Sequence, residues 1–71
     1  MTKKNWIISD FVRAHRAKAK LTQVELAAKA GVGLRFVRDL EQGKHSMRTD
    51  TVNKVLKLFG ACLGPVDLPR E

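Results

Sequence analysis

Among the residues that could serve as nucleophiles, acids or bases, Ser9, Ser46, Cys62 and the two histidines, His15 and His45, are scattered. No spacing among them suggests a nucleophile with a base and an orienting partner, and a chain of 71 residues forms no deep pocket unaided. One cysteine and two distant histidines also lack the close spacings of zinc ligands. Neither catalysis, a metal nor a cofactor is therefore expected, and a lone Cys62 leaves no internal disulfide. The chemistry this chain offers is cationic. Fourteen Lys and Arg against seven Asp and Glu give a net charge of +7, which points to a polyanionic partner, nucleic acid foremost. The basic residues are dispersed instead of gathered in a polybasic arm, which fits a structured docking face. Arg35 and Arg38 stand one helical turn apart and can share a face.

Helices must position these groups. Ile8, Phe11, Val12, His15 and Ala19 recur at helical spacing and predict a first helix over Trp6–Lys18, with Asn5 as its N-cap. Thr22-Gln23-Val24-Glu25 reads as a capping box. It opens a short second helix over Gln23–Lys29, with Leu26, Ala27 and Ala30 on its apolar side. Gly31-Val32-Gly33 ends that helix in a sharp turn. A third helix is predicted over Leu34–Gln42, Val37 and Leu40 inward and Gly43 closing it. Lys44–Arg48 reads as a loop. A fourth helix follows over Thr49–Phe59, burying Val52, Val55, Leu56 and Phe59, and Gly60 stops it. Gly64, Pro65 and Pro69 forbid a helix beyond that point, so residues 61–71 read as a short extended or β segment confined to a sheet edge. The expectation is an all-α, four-helix domain over residues 6–60, a tail over 1–5 and an extended C-terminal segment over 61–71. A strand alone in such a chain has no internal partner. Dimerisation is also the expected source of extra stability for so small a core. No apolar run is long enough to span a membrane and residues 1–5 lack a signal-peptide pattern, so a cytoplasmic location is expected.

Two short helices joined by a glycine-containing turn describe a helix-turn-helix. In detail, Leu21-Thr22-Gln23-Val24-Glu25-Leu26-Ala27-Ala28-Lys29-Ala30-Gly31-Val32, followed by Val37 and Leu40-Glu41-Gln42-Gly43-Lys44, closely resembles the Cro/phage-repressor (XRE) class of helix-turn-helix proteins. The resemblance covers about Ile8 to Gly60. It implies a compact Cro/phage-repressor-type domain whose second motif helix enters the major groove of double-stranded DNA. The positions matching that helix's groove-facing residues are Gly33, Leu34, Arg35, Phe36, Arg38 and Asp39. Arg35 and Arg38 suit bidentate recognition of guanine, although they could equally contact phosphates or only solubilise the helix. Leu34 and Phe36 depart from the polar side chains often found there, and could meet thymine methyls or the DNA backbone. Thr22 and Gln23, at the start of the first motif helix, match the family's phosphate-binding position. Lys44 and His45 are placed for the adjacent DNA backbone, though His45 could also be a plain loop residue. Arg16 and Glu41 match a family ion pair tying the first helix to the third.

The stretch Gly31–Lys44, with Phe59-Gly60 and Leu63-Gly64-Pro65-Val66, resembles HipB-type antitoxins, in particular a short Y4mF-like branch. That likeness implies a homodimer paired through C-terminal strands and a palindromic operator. It also implies a complex with a HipA-like serine/threonine kinase toxin, with or without a third component, and a nucleoid-associated cytoplasmic autorepressor. A stand-alone regulator, phage-repressor-like or controlling a restriction-modification system, predicts the same DNA binding without a toxin. RNA binding is disfavoured because Trp6, Phe11, Phe36 and Phe59 form no stacking platform.

Overall fold

The computed structural model describes residues 8–44 and 46–65. Among these residues there are four helices: α1 (Ile8–Lys18), α2 (Gln23–Ala30), α3 (Leu34–Glu41) and α4 (Thr49–Leu58). Asn5, Trp6 and Ile7, expected to begin the first helix, lie outside the described residues, as does His45. No strand occurs among the described residues, and 61–65 follow an irregular path. The anticipated β segment would have to rest on 66–71, which are likewise outside them.

One buried residue set joins all four helices: Val12, Leu26, Ala27, Val37, Leu40, Val52, Val55 and Leu56. Each fully buried Leu or Val contributes about 1.5–3 kcal/mol. The helices pack chiefly as α2 on α3, α1 on α3, and α2 on α4, so α2 lies between the other two members of its contacts. Along α1 the inward face differs from the expected stripe. Ser9 and Val12 are buried, whereas Ile8 is 36% exposed and Ala19 is exposed. The helix stops at Lys18, so Ala19 lies in the turn and no longer follows the helical period. Phe11 and His15 do line the seam with α4's end: their rings sit 4.1 Å apart, and His15 lies 5.4 Å from Phe59.

All four helices end in one hydrogen-bond pattern, an N–H reaching back five residues: Leu21 to Arg16, Val32 to Ala27, Lys44 to Asp39 and Ala61 to Leu56. This closure needs a left-handed residue just before the donor. Glycine fills that position three times, but α1 is closed by Lys20 at φ 59°.

Beyond Gly60 the chain turns back on the domain. Leu63 packs part-way against the core, and its N–H donates to Asn53 Oδ1 of α4 at 2.7 Å. No helix among the described residues is long and apolar enough to cross a membrane.

Candidate nucleic-acid interface

The turn between α2 and α3 is built from local chemistry at both ends. Thr22 Oγ1 accepts from the Glu25 N–H at 3.0 Å, and the Thr22 N–H donates to Glu25 Oε1 at 2.8 Å. The capping box read from the sequence is thus complete. At the other end Gly31 adopts φ 74°, ψ 36°, a conformation nearly closed to other residues. Gly33 is different. Its φ of −76° is ordinary, and a Cβ there would meet nothing within 4 Å. It caps α3 without a side chain, so the first-turn N–H groups of α3 have no side-chain acceptor at the cap.

α3 divides cleanly by face. Val37, Leu40 and Glu41 are buried, while Arg35 and Arg38 are exposed. Leu34 and Phe36 are half-buried and pack against the core. Their availability to thymine methyls is thereby reduced, and the two arginines are left as the projecting long side chains of this helix. Neither arginine has an acidic partner within 4 Å among the described residues. Asp39 pairs instead with Lys44, at 3.5 Å. Lys44 remains exposed, but its ammonium is partly committed to holding the end of α3.

Beneath this surface lies a buried carboxylate. Glu41, only 5% exposed, accepts from Arg16 Nε at 2.6 Å and Arg16 Nη2 at 3.0 Å. Arg16 Nη1 also donates to the Leu21 carbonyl at 3.0 Å. The hydrogen bond to Glu41 holds the Arg16 guanidinium above its ordinary pKa against a smaller desolvation penalty, so it stays charged throughout the accessible pH range. The ion pair implied by the family resemblance is present, and Gln23 joins it by donating Nε2 to Glu41 Oε1 at 3.1 Å. The residue expected at a phosphate is therefore anchored to the scaffold by one amide N–H. Its second N–H and its carbonyl oxygen have no partner among the described residues.

Of the expected residues, Thr22, Gln23, Gly33, Leu34, Arg35, Arg38 and Lys44 all lie at or beside the two motif helices. Sequence reasoning missed Arg48. It stands at the N-cap of α4 and holds Asp50 in a fork, at 3.1 and 2.9 Å. That contact raises the Arg48 pKa and lowers the Asp50 pKa. Asp50 also accepts from the Thr51 N–H at 2.8 Å. The Arg-x-Asp spacing before an apolar helix was the available signal. Asn53 had none, because its acceptor role depends on where the chain returns.

A family model described as "Helix-turn-helix domain" matches residues 7–68. The chain is also 45% identical, over 56 residues, to an "Uncharacterized HTH-type transcriptional regulator y4mF" of Sinorhizobium fredii (strain NBRC 101917 / NGR234). That similarity covers 79% of this chain and 74% of the relative. With its capped α2, glycine turn, amphipathic α3 and buried Arg16–Glu41 pair, the chain belongs to the helix-turn-helix domain family, of the Cro/phage-repressor-like kind.

Proposed function

We propose that this chain is a sequence-specific DNA-binding transcription regulator that represses its own operon as the antitoxin of a HipA-like serine/threonine kinase. The observation that carries the DNA-binding part is α3 itself. It turns its apolar face inward and presents Arg35 and Arg38, one turn apart and without an acidic partner among the described residues, to solvent. Around them, the bare N-terminus of α3, the half-anchored Gln23 amide, and Thr22 and Lys44 supply groups suited to phosphates. His45 is kept as a further candidate contact on its position in the sequence.

The operator is a palindrome read by a homodimer, with half-sites about one helical turn apart. The dimer forms through residues 61–71. The antitoxin role rests on the sequence likeness across Gly31–Lys44 and Leu63–Val66, and the protein acts in the cytoplasm at the nucleoid. Fluorescence anisotropy with the DNA upstream of the operon tests DNA binding, and co-purification with the neighbouring gene product tests the partner. Equal affinity for operator and random duplex at physiological salt overturns sequence-specific recognition. Separate elution of the neighbour leaves a stand-alone regulator.

A further inference from the structure

A second cationic surface lies on the other side of α2. Lys29 and Ala30 from the end of α2, with Lys54, Lys57 and Leu58 from α4, line an open depression of about 410 Å³. The three lysines are exposed and have no acidic partner within 4 Å among the described residues. Helix geometry would ordinarily supply partners one turn earlier: Glu25 for Lys29, and Asp50 for Lys54. Both carboxylates are diverted. Glu25 is held by the Thr22 N–H, and Asp50 by Arg48 and the Thr51 N–H.

Favourable placement at helix ends explains only part of this cluster. Lys29 and Lys57 lie in the last turns of α2 and α4, where a cation complements the helix dipole. Lys54 is mid-helix, and it stands at like-charge spacing from Lys57, an arrangement that is destabilising by itself. Two residues lining the depression are apolar: Ala30 packs on the core, and Leu58 is 40% exposed.

We propose that this depression docks an acidic protein segment that carries an apolar anchor residue. Two features favour protein over nucleic acid. A duplex backbone presents phosphates but no apolar group to cover Leu58. The depression also lies between α2 and α4, whereas the groove-reading face is α3, which packs on α1 and α2. The proposal does not depend on the partner being a kinase, and it leaves the α3 face open while the site is filled.

The test uses the full ¹⁵N-labelled chain and two probes: a short synthetic peptide of Glu and Asp around one central Leu, and a short duplex. The peptide should shift the amides of Lys29, Ala30, Lys54, Lys57 and Leu58 and saturate. Lys29→Gln/Lys54→Gln/Lys57→Gln should weaken it about tenfold, as three lost charge pairs require. Lys18→Gln/Lys20→Gln, which removes charge elsewhere, should weaken it by less than about 1.5-fold. Leu58→Asn should also weaken the Leu peptide, and leave a peptide with Ser in the central place unaffected. Comparable losses per charge in the two lysine variants would reduce the effect to general attraction and overturn the site. So would shifts centred on α3, or the duplex shifting the same five residues.

Discussion

Replacing Arg16 by Met probes the joint on which the reading face rests. Met keeps much of the aliphatic packing but deletes both bonds to Glu41 and the one to the Leu21 carbonyl. The Glu41 carboxylate, its side chain 4% exposed, is then left with Gln23 as its sole hydrogen-bond donor among the described side chains. Breaking one side of a buried pair costs about 3–5 kcal/mol. The Arg16 side chain is 23% exposed, so water can reach the vacated position, and the lower end of about 3 kcal/mol is expected. A domain of 71 residues has a total stability of roughly 4–11 kcal/mol. The loss should therefore lower Tm by about 12–24 °C, at about 4–8 °C per kcal/mol. Glu41→Leu should cost less, because the stranded guanidinium can turn to solvent. Arg16→Met/Glu41→Leu should come within about 1 kcal/mol of the parent, since neither charge is then left unpaired. Urea and thermal unfolding of the four proteins at one salt concentration give the complete cycle. A loss below about 1 kcal/mol in Arg16→Met, or additive single losses, would refute a mutually dependent buried pair.

Four further outcomes follow from other positions. Arg35→Ala and Arg38→Ala should each cost about 1–3 kcal/mol on the correct operator, while Gln23→Ala should weaken all duplexes alike; anisotropy on operator and scrambled DNA separates the two. Lys20→Gly should raise stability by about 0.5–1 kcal/mol. Relief of a left-handed residue, about 1–2 kcal/mol, exceeds the entropy added to the unfolded chain; an unchanged or lower Tm would contradict it. Asp50, whose pKa is lowered by Arg48, contributes stability that is present above its ordinary value and lost as pH falls through the lowered one. The Tm gap between the parent and Asp50→Asn should accordingly be largest near neutral pH and close in acid. Truncation after Gly60 should give a monomer with far weaker operator binding, because the two half-sites are no longer held together; an unchanged dimer in sedimentation would move the interface to the helices.

The helices were legible because their signals are local. Apolar spacing marked α2, α3 and α4, Thr22 and Glu25 marked the start of α2, and glycines marked most of the stops. The split of α3 into a buried and a cationic face followed from the same period. What escaped depends on the chain's path in space. Ser9 is buried and Ile8 exposed because α1 is rotated relative to its simplest apolar stripe. The Asn53 bond to Leu63 and the Gln23 bond to Glu41 span 10 and 18 residues, and no periodicity announces either. The Arg16–Glu41 pair, 25 residues apart, was reached through family likeness and not through spacing. Lys20 could not be foreseen in a left-handed turn, since sequence favours glycine or asparagine there.

The distribution of acidic groups links the two cationic faces. Every described acidic residue is engaged: Asp10 by Arg13, Glu25 by the Thr22 N–H, Asp39 by Lys44, Glu41 by Arg16, and Asp50 by Arg48. Among the described residues, the arginines of α3 and the lysines of the α2–α4 depression are thus left without ion-pair partners. α2 runs between them, with Gln23 at its start and Lys29 six residues on, a rise of about 9 Å. That separation is close to the screening length of about 8 Å at physiological salt. Screening therefore cuts the repulsion between an anionic segment in the proposed depression site and a duplex on the proposed α3 face only to about a third, and partial competition is expected at physiological salt. In dilute salt the screening length grows, and the same segment would compete with the duplex through its field alone. Loss of that competition as salt is raised, with both ligands still bound, is the behaviour expected of two separate sites.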